Sequence, residues 1–455
     1  MTNILAGRRH IHFVGVGGIG MSSLARLLHA RGFVVSGSDR DPGDQGESLV
    51  RLGVGVVAGH AESNVKGADL VVITSAVGVD NPEVSEAQKH GIPVVKRSEL
   101  LAALMNDVRG IAIAGTHGKT TTTALVGWIL AAGGLDPTVL VGGMSPNFGS
   151  NTRMGREDLV VGEADEYDGS FLRLHPTIAI ITNVEPEHLD YYGTKESVYD
   201  AFRQFAHQVG GCLVTCADDA VLQHIVRGAR VPRVTYGIER GDIRARDIVE
   251  RDGRLAFTVE LPEGSHTFEM GLAGLHNVRN AVGAVAVALH LEVEVAHIQA
   301  ALSSFSGVAR RCDIKGEAAG VLVVDDYAHH PTEIAAMLQT FRQRFNRPLR
   351  LVFQPHTYSR TAAFLDDFAP ALEGADALYL LDIYGARESD TYGMTGEGLA
   401  QVISRQNPHV AYAGTADRAL AMVVSEARDG DMVVTMGAGD VTKLAPRVLA
   451  ELAKR

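Results

Sequence analysis

The chain has 455 residues, of which 46% are hydrophobic and 21% charged, which is typical of a globular protein with about three domains. The formal net charge is −12 and no basic run offsets it, so we expect no nucleic-acid partner. Cys212, Cys216 and Cys312 follow no zinc-ligand pattern, and we expect buried, reduced thiols. Because no cleavable leader and no apolar run of membrane-spanning length stands out, we expect a cytoplasmic protein without a membrane partner.

Residues 1–107 are predicted to form a doubly wound α/β domain. A strand from His10 leads into glycines that fit the pattern G-x-G-x-x-G, and a helix follows from Met21 to Ala30. The second strand ends at an acid 19 residues after the last of these glycines, close to the dinucleotide-binding fingerprint. The pattern predicts a bound diphosphate, either of a nicotinamide dinucleotide or of a nucleotide sugar. The predicted ligand-binding residues are Gly15, Gly17, Gly18, Gly20 and Asp39.

Residues 108–306 begin with a predicted phosphate-binding loop, since the chain from Gly110 to Val126 has the pattern of a strand, a glycine-rich turn and a helix. Backbone N–H groups in the turn, together with the positive end of the helix, can bind an anion. The Lys119 ammonium is suited to a terminal phosphate, and the Thr120 hydroxyl is suited to Mg²⁺. The predicted nucleotide-binding residues of this loop are Gly115, Thr116, His117, Gly118, Lys119, Thr120 and Thr121.

Polar side chains also follow two further strands of this segment. A strand over 158–162 leads to Glu163, and a strand over 177–182 leads through Asn183 to His188. Ligands of open α/β sheets gather at the carboxyl ends of the strands. We therefore expect Thr120, Glu163 and His188 to bind magnesium ions at this edge of the sheet. For His188 a hydrogen bond to phosphate is the alternative.

Four other polar residues of the middle segment have a sequence context that does not assign them a single binding role. Asp165 and Glu166 follow the same strand as Glu163, and we expect them to be solvated loop charges. Asn277 and Asn280 lie three apart at the start of a helix that runs to His290. That spacing suits either hydrogen bonds to a nucleotide base or capping of the helix, and the pattern alone does not separate the two uses.

Residues 307–455 are predicted to form a second doubly wound domain. The segment opens with the cationic pair Arg310 and Arg311, and Asp326 closes its first strand. Asp326 is placed to accept a hydrogen bond from a ribose hydroxyl, and Arg310 or Arg360 to neutralise the charge of a transferring phosphate. The later predicted elements are strands over 349–353, 377–382 and 432–436, and helices over 359–372, 396–405 and 441–452.

These motifs together resemble the Mur ligase family, the ATP-dependent amino-acid ligases of peptidoglycan synthesis. The resemblance rests on Gly-Thr-His-Gly-Lys-Thr-Thr, Glu163 in Glu-Ala-Asp-Glu, Asn183 through His188, His276-Asn277-x-x-Asn280, Arg310-Arg311 and Asp325-Asp326-Tyr-Ala-His-His-Pro. It implies an α/β protein with three domains. These would be an N-terminal Rossmann-like domain for UDP-N-acetylmuramate, a central P-loop-type ATPase sheet, and a C-terminal Rossmann-like domain for the amino acid.

Within the family, the stretch from Ile11 to Ser22 resembles the member that adds L-alanine. This implies ligation of L-alanine to the lactyl carboxylate of UDP-N-acetylmuramate through an acyl phosphate, which gives UDP-N-acetylmuramoyl-L-alanine, ADP and phosphate. By analogy, Asn277 contacts adenine, and Asp326 and Arg310 reach toward ATP. The catalytic residues that the resemblance implies are Lys119, Glu163, His188, Arg310, Tyr327, His329 and Arg360, the last four from the third domain.

Two other functions remain open at this point. A recycling ligase that joins a preformed tripeptide to the same sugar nucleotide shares most of these motifs. A NAD-dependent oxidoreductase would explain the stretch from Gly15 to Asp39, but it would leave Lys119, Glu163 and Asp326 without a role. For either ligase we expect a monomer or a homodimer.

Overall fold

The computed structural model describes residues 4–251, 253–261, 264–386, 388 and 392–455. It contains three β-sheets that follow one another along the chain, each with helices packed on it. The first two sheets belong to one compact unit, which includes most residues up to 249 and residues 277–307, and the third sheet belongs to a second unit formed mainly by residues 308–455. Among the described residues, no helix combines the length and the hydropathy needed to cross a membrane.

The first domain is a doubly wound parallel sheet, as predicted. Its strands are β1 His10–Val14, β2 Val34–Asp39, β3 Gly55–Ala58, β4 Leu70–Ile73 and β5 Val94–Lys96, and its helices are α1 Ile19–Ala30, α2 Gly43–Arg51, α3 Pro82–Lys89 and α4 Arg97–Met105. The strand order is β3-β2-β1-β4-β5, with parallel pairing throughout. The chain therefore changes its winding direction at β1, and the glycine loop that follows β1 lies at this switch point.

The middle domain has a sheet of ten strands. They are β6 Arg109–Ala114, β7 Pro137–Ser145, β8 Ser150–Arg153, β9 Arg156–Glu163, β10 Ile178–Ile181, β11 Cys212–Cys216, β12 Arg233–Gly237, β13 Ile243–Arg251, β14 Arg254–Leu261 and β15 Gly264–Met270. Its helices are α5 Lys119–Ala132, α6 Leu189–Tyr192, α7 Lys195–Gln208, α8 Ala220–Ile225, α9 Leu275–His290 and α10 Val295–Ser304. The strand order is β15-β14-β13-β12-β11-β10-β6-β9-β7-β8.

Strand β6 determines where the polar loops of this sheet meet. Its apolar residues Ile111–Ala114 are almost fully buried, and both neighbours, β9 and β10, run parallel to it. Because parallel strands end at the same edge, the segments after β6, β9 and β10 lie side by side. The sequence pattern predicted this convergence, and the order of the strands confirms it.

The third domain is a six-stranded sheet that is parallel except at its first strand. Its strands are β16 Asp313–Ala318, β17 Val321–Asp326, β18 Leu349–Phe353, β19 Ala377–Leu381, β20 Val410–Gly414 and β21 Met432–Met436. Its helices are α11 Pro331–Phe345, α12 Tyr358–Ala363, α13 Leu365–Ala371, α14 Gly396–Ser404, α15 Ala416–Glu426 and α16 Leu444–Leu452. The strand order is β16-β17-β21-β18-β19-β20, and only β16 pairs in the antiparallel sense.

Two predicted helices of this domain differ from the structure. The helix predicted over 359–372 is divided into α12 and α13, because Phe364 leaves the helical backbone region with φ −117° and ψ 24°. The ring of Phe364 packs instead against His330, with 4.5 Å between the ring centroids. The helix predicted over 441–452 begins as a 3₁₀ turn, Asp440–Lys443, and only α16 is α-helical. The thiols agree better with expectation, since all three cysteines are free and Cys212 and Cys216 are buried.

A fully buried carboxylate, that of Glu83, stabilises the first domain beside its glycine loop. It accepts hydrogen bonds from Ser38 Oγ at 2.6 Å and Asn64 Nδ2 at 2.5 Å, and His12 Nε2 lies 3.6 Å away. The main-chain oxygen of Ser38 accepts in turn from the N–H of Gly15 at 2.8 Å. Burial alone would raise the pKa of Glu83, but His12, Ser38 and Asn64 lower it to about 2.

We predict that Glu83→Gln destabilises the protein by about 2 kcal/mol at neutral pH, because it removes a buried charge that its partners are arranged to bind. The pKa of Glu83 falls from 4.5 to about 2 on folding, so this contribution is complete above pH 4.5 and is lost as the pH falls toward 2. Urea unfolding of both proteins across this range measures the difference. Glu47→Gln is the control, since the Glu47 side chain is 73% exposed. An effect of Glu83→Gln that is no larger than the control, or that grows at low pH, would contradict the prediction.

Candidate active site

The loop between β6 and α5 is held in place by the segment that follows β10. The N–H groups of Thr116 and His117 donate to the backbone and side-chain oxygens of Asn183 at 3.1 and 2.8 Å, and Thr182 Oγ1 donates to the His117 carbonyl at 2.6 Å. The expectation that the amides of Thr116 and His117 bind an anion is therefore wrong, because the neighbouring strand already provides their acceptors. The loop is rigidly attached to β10 instead.

The N–H groups that are placed for the predicted anion begin one residue further along, at the start of α5. Gly115 has a φ of +128°, and a Cβ atom there would overlap Thr182 Oγ1, so only glycine fits this turn. An α-helix leaves its first four N–H groups without partners inside the helix, and here they belong to Gly118, Lys119, Thr120 and Thr121. Together with the positive end of the helix dipole, these groups can bind phosphate oxygens.

The Lys119 ammonium is folded back over this loop and paired with a buried acid. Its Nζ lies 2.7 and 3.0 Å from the two carboxylate oxygens of Glu166 and donates to the Gly115 carbonyl at 2.6 Å. Glu166 is only 2% exposed, so the expectation of a solvated loop charge is wrong for this residue. Asp165 fits that expectation better, since its side chain is 42% exposed.

Burial and charge have opposite effects on this pair. Burial alone would lower the pKa of Lys119, but the carboxylates of Glu166 and Asp165 raise it above its usual value. Burial raises the pKa of Glu166 to about 7, in spite of the opposing effect of the Lys119 ammonium. The lysine thus keeps its full charge in a site from which water is largely removed.

Glu163 and Thr120 come together next to this pair, as predicted for two magnesium ligands. The Thr120 hydroxyl is 3.3 Å from Glu163 Oε2, and Glu163 Oε1 accepts from the Gly142 N–H at 2.6 Å. Burial raises the pKa of Glu163, in spite of the opposing effects of the Gly142 N–H and the Lys119 ammonium. A hydroxyl and a carboxylate beside a phosphate site are the kind of oxygen ligands that Mg²⁺ takes in nucleotide-binding proteins.

The third predicted metal ligand, His188, belongs to a different group of side chains. Its ligand atom and those of Glu166 and Glu187 all lie within 4.8 Å of one another. Glu187 is 8% exposed, and His188 has a φ of +57°, an uncommon value outside glycine. The predicted ligands thus fall into two neighbouring groups, and either donor set suits a divalent cation. Sequence reasoning missed Glu187, although it immediately precedes His188 in the loop after β10.

The asparagines at the start of α9 lie against the same phosphate loop. Asn280 Nδ2 donates to Asn277 Oδ1 at 3.3 Å, and both residues are at least nine-tenths buried. A Cβ atom on Gly118 would lie 2.6 Å from Asn280 Oδ1, so this side chain touches the loop itself. That position is compatible with the predicted contact to a nucleotide.

In the first domain, the predicted acid binds the predicted glycine loop. Asp39 Oδ2 accepts from the Gly17 N–H at 2.9 Å, and any Cβ atom on Gly17 would lie 2.7 Å from the Pro42 carbonyl oxygen. Gly18 begins α1 as its N-cap, and the Gly18 N–H donates to the Gly15 carbonyl at 3.2 Å. The predicted residues therefore form one compact loop in which backbone N–H groups and a helix start lie close together.

Sequence reasoning missed a cation beside this loop, the side chain of Arg97. A Cβ atom on Gly20 would lie 3.2 Å from Arg97 Nη1, and Arg97 Nη2 is 3.7 Å from Asp165 Oδ2. Arg97 directly follows β5 and therefore lies at the carboxyl edge of the first sheet. This place after a strand is the signal that could have drawn attention to Arg97 in the sequence.

In the third domain, two arginines lie over one tyrosine ring. The guanidinium carbons of Arg310 and Arg311 are 4.7 and 4.9 Å from the centre of the Tyr327 ring. Asp326 is 1% exposed, and its two oxygens accept the N–H groups of Cys312 at 2.7 Å and Ala328 at 2.8 Å. Burial raises the pKa of Asp326 to about 6. The Asp326 carboxylate therefore joins the backbone at Cys312 to the backbone at Ala328. The hydrogen bond from a ribose hydroxyl that was predicted for Asp326 would be an additional contact.

The remaining predicted residues of the third domain, His329 and Arg360, are linked through His356. The rings of His329 and His356 are 5.6 Å apart, and Arg360 Nη1 donates to the His356 carbonyl at 3.2 Å. His329 Nδ1 also lies 2.9 Å from the carbonyl of Tyr327 and 3.4 Å from a carboxylate oxygen of Glu333. The structure thus brings Tyr327, His329 and Arg360 into one polar cluster after β17 and β18.

Comparison with known families defines the class of protein. Residues 10–109 match "Mur ligase family, catalytic domain", residues 113–288 match "Mur ligase middle domain" and residues 310–439 match "Mur ligase, glutamate ligase domain". Since these matches cover most of the chain, the chain belongs to the Mur ligase family. It has the three α/β domains that the resemblance implied.

Individual members of the family are similar to this chain over nearly its whole length. A UDP-N-acetylmuramate–L-alanine ligase from Solibacter usitatus is 45% identical over 456 residues, which cover 98% of this chain and 95% of that protein. The crystal structure of a UDP-N-acetylmuramate–alanine ligase from Thermotoga maritima matches with a TM-score of 0.83 and 29% identity, over 97% of this chain and 98% of that one. A murein peptide ligase from Psychrobacter arcticus matches with a TM-score of 0.75 and 27% identity, over 98% of this chain and 99% of that one.

Proposed function

We propose that this protein ligates L-alanine to the lactyl carboxylate of UDP-N-acetylmuramate in peptidoglycan synthesis, with cleavage of ATP to ADP and phosphate. The observation that carries the proposal is the site around Lys119, where a helix start, a buried ammonium and two groups of carboxylates meet at the edge of one sheet. The name of the Solibacter relative, aligned over nearly the whole chain, supports L-alanine as the amino acid.

The chemistry requires that ATP phosphorylates a carboxylate and that an amine then displaces the phosphate. In the first step, an oxygen of the lactyl carboxylate attacks the γ-phosphorus and ADP leaves, which gives an acyl phosphate. In the second step, the amine of L-alanine attacks the acyl carbon, the tetrahedral intermediate expels phosphate, and an amide forms. Phosphoryl transfer depends mainly on positioning and charge neutralisation, which Lys119 and the first turn of α5 are placed to provide.

Mg²⁺ fits the oxygen ligands of Thr120 and Glu163, and when bound it would neutralise charge on the phosphates. The buried carboxylate of Glu163 would hold its place through the Gly142 N–H. His188 with Glu166 and Glu187 offers a second set of ligands for a divalent cation.

We further propose that each of the segments 1–107, 108–306 and 307–455 binds a different substrate. The glycine loop after β1 would bind the diphosphate of the sugar nucleotide, with Arg97 beside it. The middle segment would bind ATP, with Asn277 and Asn280 toward the base. Arg310 and Asp326 would face ATP, while Tyr327, His329 and Arg360 would face the amino acid and the reacting carboxylate. Since ATP is a cytoplasmic substrate, we place the reaction in the cytoplasm.

The proposed function predicts which amino donor supports ATP cleavage. Purified protein with ATP, Mg²⁺ and UDP-N-acetylmuramate should release ADP upon addition of L-alanine, and at least about tenfold more slowly with L-Ala-γ-D-Glu-diaminopimelate, which the amino-acid site would have to exclude. D-Alanine is the matched control for recognition of the amino acid. Faster release with the tripeptide would identify a recycling ligase, and no ADP release with either donor would refute both ligase functions.

Lys119→Ala should lower turnover by at least about 10², the usual scale for the loss of one preorganised charge-stabilising group. Binding of UDP-N-acetylmuramate, which we place in the first domain, should change little, and isothermal titration checks that the variant is folded. Lys195→Ala is the control, because this lysine of the same domain has a side chain that is 63% exposed. Near-normal turnover of Lys119→Ala would be incompatible with the assignment of the phosphate loop.

A further inference from the structure

Asp325 is a fully buried carboxylate that the proposed function leaves without a role. It is 0% exposed and lies at the end of β17, next to Asp326. Its two oxygens accept hydrogen bonds from Thr435 Oγ1 and Thr442 Oγ1, each at 2.6 Å. Both of these donors are neutral, so they satisfy the oxygens of Asp325 but not its charge.

The charge of Asp325 is balanced by Arg310. The Nε atom of Arg310 is 3.6 Å from Asp325 Oδ2, which makes these two residues an ion pair with a side-chain exposure of 26% for the arginine and 0% for the acid. The hydroxyl groups of Thr435 and Thr442 hold one carboxylate oxygen each, so the carboxylate cannot rotate without losing a hydrogen bond. A fixed anion of this kind attracts the Nε end of the guanidinium group and favours one orientation of it, although the 3.6 Å distance is that of an ion pair and not of a hydrogen bond.

The other contacts of Arg310 fix the plane of the same guanidinium group. Its Nη2 donates to the carbonyl oxygens of Gly437 at 2.7 Å and Gly439 at 3.2 Å, and the group lies over the Tyr327 ring at 4.7 Å. The backbone of Arg310 has a φ of +63°, an uncommon value for a residue other than glycine. The Tyr327 N–H donates to the Arg310 carbonyl at 2.8 Å and stabilises this conformation.

We infer that Asp325 is a positioning residue that holds the guanidinium of Arg310 in the orientation needed to neutralise the transferring phosphate, which deepens the proposed function and rests on it. With Nε beside Asp325 and Nη2 on the glycine carbonyls, Nη1 is the nitrogen that remains for a phosphate oxygen among the residues that the structure describes. An arginine side chain otherwise loses rotamer entropy when it is ordered. Orientation before the substrate arrives avoids that loss during the reaction.

Asp325 also has a structural role, because its hydrogen bond from Thr435 joins β17 to β21. A substitution of Asp325 could therefore lower activity only by destabilising the third domain, and a control has to separate this effect from the orientation of Arg310. The chain offers a matched control in Asp431, which is 5% exposed and accepts from Arg350 Nε at 2.6 Å. Asp431 directly precedes β21 and so lies at the opposite end of that strand from the residues around Arg310. It is a buried arginine–aspartate pair remote from the proposed chemistry.

The first experiment is chemical rescue of the full-length protein. Arg310→Ala should lose at least about tenfold in kcat, and millimolar guanidinium should restore part of it in a saturable manner. In Arg310→Ala/Asp325→Asn, the guanidinium concentration for half-maximal rescue should rise at least about tenfold, because the anion that binds the cation is gone. Arg310→Ala/Asp431→Asn should be rescued like Arg310→Ala. Equal rescue with and without Asp325, or no rescue at all, would overturn the inference.

The second experiment does not depend on activity, so it distinguishes failure of the inference from failure of the proposed function. In nitrogen-15 spectra of arginine side chains, the Nε–H of Arg310 should exchange with water at least about tenfold more slowly in the wild type than in Asp325→Asn. The Nε–H of Arg350 should be unaffected by that substitution and should respond to Asp431→Asn instead. An unchanged Arg310 Nε–H in Asp325→Asn would contradict the orienting role, whatever reaction the wild-type protein performs.

Discussion

The ion pair between Lys119 and Glu166 sets the charge balance of the central site. Removing both groups from water is costly, and their mutual attraction has to offset that cost. Bidentate contact at 2.7 and 3.0 Å, together with the Gly115 carbonyl, provides this compensation. The ammonium is therefore kept charged and close to the helix start. In the reaction that we propose, a phosphate of ATP takes the place of Glu166 at Lys119 and leaves that carboxylate beside Glu187 and His188, where a cation can balance it.

The same arrangement shows what the sequence could and could not predict. Buried parallel strands have short apolar runs that end at glycine or polar residues, so β1, β6, β9 and β10 and their shared edges were predictable. The direction in which a loop side chain points was not predictable. Glu166 follows β9 by three residues, and nothing in its sequence neighbourhood distinguishes an inward acid from a solvated one.

Other differences between the sequence-based predictions and the structure can also be traced to particular residues. The strand β13 contains many charged and exposed residues, so its sequence has no clear period of two, and it was not predicted. The amides of Thr116 and His117 were expected to face an anion, but that expectation ignored a partner 66 residues away, Asn183. Tertiary contacts of this kind change the use of a backbone group without changing the motif that contains it.

In the first domain, the glycine motif predicts the geometry of the loop after β1 correctly but does not identify the ligand. Asp39 stands where the dinucleotide fingerprint expects an acid, yet its carboxylate accepts the N–H of Gly17. The loop is thereby stabilised before any ligand binds, and the fingerprint does not require a nicotinamide dinucleotide. Membership of the Mur ligase family accounts for this loop together with Lys119 and Glu163, which an oxidoreductase would leave unexplained.

In the proposed reaction, ATP activates a carboxylate by direct phosphoryl transfer at the site around Lys119. The most direct test uses UDP-N-acetylmuramate whose lactyl carboxylate is labelled with oxygen-18, in a complete reaction with ATP, Mg²⁺ and L-alanine. The account predicts that mass spectrometry finds a labelled oxygen in the released phosphate, because the acyl phosphate gives up its bridging oxygen when the amine attacks. Phosphate without the label, formed together with the amide, would contradict it.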